Sequence, residues 1–311
     1  VSVCRRSTFL RGVLRAGGNL HCHLSANLSF KGMRRAFSCL ACLALSACFP
    51  APPPASGPRL TGRPQHQRAA APLALGRAAI PPRPVTRVEA PQLSSRYISG
   101  IRFEGVAFDA RSHRLIVADQ ASGPGTRWPD AAAAARAHGG LAATNAGFFT
   151  PAGQPLGKVV AAGVPIGSWN RASSLGSGVW LESASATPAI RRREAVSMAV
   201  ARELIQAGPM LVERRQGVSG LDATKASVRS VVLWDGGSHW WIGQASPCTL
   251  AALAQALAAG SPAAWPVCQA LNLDGGRSAD LCITAAIPGG PLTRRAPWNR
   301  PVRNFLVLVA R

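Results

Sequence analysis

Ile101-Arg102-Phe103-Glu104 alternates apolar and polar side chains, and with Gly105-Val106-Ala107-Phe108 the run reads as a strand. Arg114-Leu115-Ile116-Val117-Ala118 reads as a second strand beyond a turn at 109–113. The period then lengthens. Pro129 through His138 carries a proline in its first turn, an unbroken run of five alanines and a Gly139-Gly140 stop, so it predicts a helix. Leu141 to Thr144 is a short strand running into Asn145-Ala146-Gly147-Phe148-Phe149. Ala195 to Leu204 predicts a second helix, ending before the strand Met210-Leu211-Val212. Val231-Val232-Leu233-Trp234 and His239-Trp240-Trp241-Ile242 flank Asp235-Gly236-Gly237, and Asp-Gly between two β-rich runs predicts a hairpin. Leu250 to Ala259 predicts a third helix, with Thr249 as N-cap and Gly260 as stop. Cys268-Gln269-Ala270-Leu271 is an apolar strand, and Val302 to Val309 closes the chain as another. The sum is an α+β fold: one domain over residues 93–311, built on a mixed, largely antiparallel sheet with a few flanking helices.

The pattern upstream of residue 93 is of another kind. The first 47 residues hold seven Lys or Arg and no acid. Met33-Arg34-Arg35 opens a positive n-region, and Ala36 to Leu45 supplies a ten-residue apolar run, which is too short to span a bilayer but suits a signal peptide. Leu45-Ser46-Ala47-Cys48 resembles the lipobox of bacterial lipoproteins, with Cys48 as the lipidated residue. We therefore expect a lipoprotein signal peptide over 33–47, and residues 1–32 as a spurious upstream extension. From Phe49 to Gln92 come eleven prolines and a single acid, Glu89. Such a segment cannot bury a core, so 48–92 is expected to be the lipid-bearing cysteine and an extended tether. The protein is then exported and held to a bacterial membrane, facing the periplasm or the cell exterior.

Net charge is +22, and +15 without those seven leading cations. Nucleic-acid binding is nonetheless disfavoured. Only Lys31, Lys158 and Lys225 are lysine, aromatics are 6%, and no stacking platform of the RNA-binding kind is present. A positive surface for anionic glycans, phosphates or lipid headgroups fits better. Beyond Cys48 the chain has only Cys248, Cys268 and Cys282, which match no zinc spacing. Cys248 and Cys268 flank one helix and are the expected disulfide of an oxidising compartment, leaving Cys282 packed in an apolar strand. His21-Cys22-His23 lacks distant partner ligands, so no metal and no cofactor is expected. His113, His138 and His239 sit at turns or helix ends, and no Ser-His-Asp arrangement can be argued.

Chemistry concentrates at Asn272-Leu273-Asp274-Gly275-Gly276. Asp274 is a carboxylate at the end of a buried-looking strand, and the two glycines let the backbone turn and a ligand approach closely. Asp235-Gly236-Gly237 repeats the tripeptide where a hairpin alone explains it, so context must separate the two.

Several separated motifs agree. Asn145-Ala146-Gly147-Phe148-Phe149, Gly153-Gln154-Pro155-Leu156-Gly157, Gln206-Ala207-Gly208-Pro209-Met210-Leu211-Val212, Ala270 through Gly276 and Arg303-Asn304-Phe305-Leu306-Val307 occur in that order. Together they resemble the phosphodiester glycosidase family over about residues 100–309. Its members include an enzyme that removes N-acetylglucosamine from a sugar-phosphate diester. The resemblance implies hydrolysis of a sugar-1-phosphodiester, with a glycan or sugar-phosphate as partner and Asp274 as nucleophile or base. It makes Arg229 the phosphate ligand and Asn145 a hydrogen-bonding partner of sugar hydroxyls. Gly147, Gln206, Gly275, Gly276, Arg277 and Ser278 become substrate-binding positions.

Asp280 and Glu203 are candidates for a second carboxylate, against a surface or structural role for each. Phe148 and Phe149 either stack on a sugar or pack in the core. Members commonly continue Asp-Gly-Gly with Gly-Ser-Ser, whereas Arg277-Ser278-Ala279 follows here. The guanidinium of Arg277 either clamps a phosphate or closes a pocket that other members leave open. Ser230 also stands after Arg229 where members carry Thr or Asn. The alternative to an enzyme is a non-catalytic glycan-binding envelope lipoprotein with the same pocket and no turnover.

Overall fold

The computed structural model describes residues 89–183, 187–197 and 201–311. The signal peptide, Cys48 and most of the tether lie outside the described residues. Within them, three sheets hold almost all of the regular structure, and every strand pairing is antiparallel. The architecture is therefore predominantly β, with two α-helices among the described residues, rather than one mixed sheet with several helices.

The first sheet has seven strands. From edge to edge they are Gln92–Ile98, Ile101–Asp109, His239–Cys248, Ser227–Trp234, Gln269–Asn272, Met210–Glu213 and Gln216–Gly217. The second runs Leu292–Arg294, Leu281–Ile283, Ala142–Asn145, Asn304–Ala310, His113–Asp119. The third runs Val164–Ile166, Val159–Ala161, Ala201–Ala207, Gly178–Ser183, Ala189–Arg192.

The main core forms where inner faces of all three sheets meet, around Phe108, Val117, Trp180, Ile205, Val232, Trp240 and Leu306. Helix α1 (Ala131–Ala137) covers the outer face of the second sheet through Ala134, Ala135, Phe305 and Val307. Helix α2 (Leu250–Ala259) covers the outer face of the first through Leu253, Leu257, Val231 and Leu233. Central strands are thus buried on both faces, which explains why Val231-Val232-Leu233-Trp234 is an unbroken apolar run rather than an alternating one.

Helix α2 begins at its predicted cap, whereas α1 begins after Pro129, behind Asp130. Asp130 accepts from the Ala133 N–H at 2.8 Å, and Thr249 from the Ala252 N–H at 3.2 Å. The hairpin at Asp235 also forms: Trp234 pairs with Trp240, and Asp235 Oδ1 accepts from the N–H groups of Gly237 and His239. Ile101–Asp109 and His113–Asp119 are strands, but they enter different sheets.

The helix expected over Ala195–Leu204 is not found. A 3₁₀ turn at Arg193–Ala195 is followed by the strand Ala201–Ala207, between Val159–Ala161 and Gly178–Ser183. Ala-Arg-Glu-Leu-Ile favours a helix locally, but two flanking strands offer the backbone a ladder and bury Leu204 and Ile205 completely.

The expected disulfide is not formed either. Cys248, Cys268 and Cys282 are free thiols. Cys248 pairs with Ser227 at one end of Ser227–Trp234, whereas the Cys268 N–H donates to the carbonyl of Trp234 at the other. Seven strand steps separate the ends by roughly 23 Å, far beyond the ~7 Å Cα separation a disulfide tolerates. The connection through α2 runs from one end of that strand to the other instead of returning on itself. Cys282 is packed in its strand as expected, and burial pushes its thiol pKa up.

Candidate active site

Three strand ends converge on Asp274. After Asn272 the chain leaves the first sheet: the Leu273 N–H still donates to Ser230, but the Asp274 N–H donates to the carbonyl of Ala146, beyond the end of Ala142–Asn145 in the second sheet. Ala146 in turn donates to the carbonyl of Asn304, where the last strand begins. The Asp274 segment therefore ties two sheets together, and its side chain is placed by both. Its turn needs both glycines. A Cβ at Gly275 would lie 2.6 Å from the carbonyl oxygen of Val228, and Gly276 has φ +60°.

Asp274 is 7% exposed. Burial pushes its pKa up to about 6, against the opposing pull of the Ser278 hydroxyl, the Arg300 guanidinium and the Gly275 N–H. Its Oδ2 has no partner among the described residues. Buried Asp280 also keeps one oxygen without a partner, but it is ion-paired with Arg295; Asp274 forms no ion pair among the described residues, and a buried carboxylate left so is a functional-site candidate.

Arg300 is the cation of the site, and sequence reasoning missed it. Its guanidinium carbon lies 4.8 Å from the centre of the Phe149 ring, and its Nε donates to Ser278 Oγ at 3.4 Å. The loop that carries it is pinned to the Asp274 turn, since the Arg300 N–H donates to the carbonyl of Arg277 at 3.0 Å. The available signal was positional. Asn299-Arg300-Pro301 immediately precedes a strand that pairs Phe305 with Asn145, so a charged loop there must lie beside the residues that follow Asn145.

Arg229, the expected phosphate ligand, points away. Ser230 faces the site and donates to Asn145 Oδ1 at 2.6 Å, so by the two-residue period of the strand Arg229 shares the opposite face with Val231 and Leu233, under α2. Its guanidinium donates to the carbonyls of Cys248 (3.1 Å) and Lys225 (2.7 Å).

Asn145 is in the site but is engaged internally. It donates to the carbonyl of Asp274 and accepts from Ser230 Oγ and from the Asp280 N–H at 2.9 Å. It positions the Asp274 backbone rather than presenting its amide to a sugar. Gln206 is further from the expectation. Its four hydrogen bonds go to Lys158, Gly176 and both backbone groups of Asn170, clamping the 157–176 loop.

Gly147 lies at the centre, donating to Asn304 Oδ1 at 2.8 Å. That contact orients the Asn304 amide and leaves Asn304 Nδ2, also fully buried, without a partner among the described residues. A donor and an acceptor without partners thus flank Ala146-Gly147, where a Cβ on Gly147 would meet nothing closer than 3.5 Å.

Neither candidate second carboxylate faces Asp274. Asp280 accepts from the first N–H of α1 (Ala131, 3.0 Å) and pairs with Arg295 at 2.6 Å. Glu203 accepts from the N–H groups of Val117 and Ala162. Burial raises the pKa of both, but each has a structural task. Phe149 packs in the α1-side cluster and Phe148 against the main core. Among the described residues no group of His, Cys, Asp and Glu could hold a metal ion.

A family model for phosphodiester glycosidases matches residues 138–309. No curated protein matches the chain. Among solved structures, the catalytic domain of zebrafish N-acetylglucosamine-1-phosphodiester alpha-N-acetylglucosaminidase, auto-inhibited by its pro-peptide, aligns with a TM-score of 0.51 at 17% identity, covering 71% of this chain and 83% of that one. A hypothetical protein from Synechocystis aligns with a TM-score of 0.48 at 17% identity, covering 70% of this chain and 62% of that one. The zebrafish likeness is one of fold.

Proposed function

Because this chain belongs to the phosphodiester glycosidase family, we propose that it hydrolyses a sugar-1-phosphodiester in the bacterial cell envelope, with Asp274 as the carboxylate and Arg300 as the phosphate ligand. The observation that carries this reading is the buried Asp274 carboxylate, its Oδ2 free and its pKa near 6, beside the Arg300 guanidinium.

In the reaction, the bond between C1 and the phosphate oxygen breaks and its electron pair leaves on the phosphate. Water supplies the new oxygen at C1, and its proton passes to Asp274. A carboxyl group with pKa near 6 is mostly ionised at neutral pH yet basic enough to take that proton. The phosphate is a good leaving group, so it needs charge neutralisation more than protonation, and Arg300 supplies this. Asn304 Nδ2 supplies a donor to a sugar hydroxyl. Asn145 and Ser230 hold the Asp274 backbone in place.

Release of reducing sugar from a panel of sugar-1-phosphodiesters, including an α-N-acetylglucosaminyl one, tests the proposal. Release that collapses in Asp274→Asn and in Arg300→Ala supports it, and activity that survives both refutes it.

One observation favours the second reading, glycan binding without turnover: Asp280 and Glu203 both serve structure, leaving Asp274 as the only candidate carboxylate at the site among the described residues. Saturable binding of the same panel with no sugar release would select it. The envelope placement rests on the lipobox-like sequence at Cys48. Incorporation of labelled palmitate, lost in Cys48→Ser, checks it.

A further inference from the structure

On the other side of the Asp274 turn lies a cleft of about 620 Å³ that shares Gly276, Arg277 and Ala279 with that turn. Arg102, Arg277, Arg294 and Arg295 line it, against one acid, Glu104. Two of these charges are matched: Arg294 holds Glu104 through two hydrogen bonds of 2.7 Å, and Arg295 pairs with Asp280. Arg102 only shares Glu104, at 3.7 Å. Arg277 has no acidic partner among the described residues; its Nε donates to the carbonyl of Trp298 at 3.2 Å, which holds the guanidinium on the cleft side of the turn. Trp298 itself is 69% exposed, the second most exposed large apolar side chain described.

An unmatched guanidinium fixed beside an exposed indole is the combination that grips an anion and a sugar face together. It also decides between the two roles open to Arg277. Ser278 faces Asp274, whereas Arg277 lines the cleft, so its guanidinium extends the cationic surface beyond the Asp274 turn rather than covering the carboxylate.

We propose that this cleft is a subsite for the next unit of the substrate, and that the substrate is a glycan chain whose sugars are joined by successive phosphodiesters rather than a single sugar-phosphate diester. The next phosphate is held by Arg277 and Arg102, and its sugar lies against Trp298. This rests on the reading of Asp274 as the hydrolytic carboxylate, because that reading sets where the first phosphate sits.

The test uses two probes: a synthetic trimer of N-acetylglucosamine 1-phosphate units joined by phosphodiesters, and the corresponding single methyl phosphodiester. Calorimetric binding to the Asp274→Asn protein reads affinity whether or not the native protein turns over. We expect the trimer to bind roughly 10- to 100-fold tighter than the monomer, the range of one or two charge-assisted contacts. In Arg277→Gln and in Trp298→Ala, each built on Asp274→Asn, that ratio falls towards one. Both side chains are exposed, and a thermal melt confirms that each variant folds.

A ratio near one in the parent, or an undiminished ratio in both variants, overturns the subsite. So does inorganic polyphosphate displacing the trimer equally well from the parent and from Trp298→Ala, since a cationic patch alone would then suffice. Failure of the hydrolytic reading shows elsewhere, as absent sugar release with the trimer ratio intact.

Discussion

Replacing Asp274 with asparagine removes a buried charge, and the consequence for stability depends on pH with a definite sign. Burial raises the carboxyl pKa from 3.8 to about 6, so the folded state holds its proton more tightly than the unfolded chain does. Folding is therefore favoured by this group at low pH, and that advantage is lost as pH rises from about 4 through 6. A shift of about 2 units at about 1.4 kcal/mol each amounts to about 3 kcal/mol. Asparagine keeps the shape and cannot ionise. The stability of Asp274→Asn relative to the native protein should thus grow by about 3 kcal/mol between the acid side of pH 4 and pH 8. For a domain of this size, that corresponds to a change of about 6–12 °C in the difference between the two melting temperatures. Urea unfolding of both proteins across this range measures it, and the change with pH is the readout, because loss or gain of individual hydrogen bonds adds only a constant offset. A difference that stays flat with pH, or shrinks as pH rises, would refute the claim that Asp274 is buried with a raised pKa.

Three further substitutions test the geometry. Arg300→Ala should lower kcat/KM for a sugar-1-phosphodiester by about 100-fold and move the acid limb of the pH–rate profile upward, since the guanidinium holds the Asp274 pKa down. Arg229→Ala should leave turnover at the native level in the same assay, because that side chain lies under α2. Gln206→Ala strips partners from four buried or half-buried backbone groups around the 157–176 loop, and the urea midpoint should show a loss of at least about 3 kcal/mol.

The Asp274 turn, its two glycines, the Thr249 cap and the Asp235 hairpin were legible in the chain because each depends on local geometry: which residue caps a helix, which tolerates a left-handed turn, which run is apolar. The family was legible because motifs keep their order along the chain. Partners across sheets were not. Arg229 and Ser230 are neighbours in sequence, yet a strand sends them to opposite faces, and only the position of α2 decides which face is the site. Asp280 and Asp274 lie six residues apart and each keeps one buried oxygen without a partner among the described residues, yet only Asp280 accepts from the first N–H of a helix and pairs with an arginine. Arg300 becomes part of the site because the last strand pairs with Ala142–Asn145, a contact spanning more than 150 residues. Cys248 and Cys268 are parted by the length of a strand that precedes both of them. In this protein the sequence by itself determined the turns, the Thr249 cap and the one carboxylate; tertiary structure decided which cation it meets, because charge pairing acts through space and the antiparallel ladders set that space.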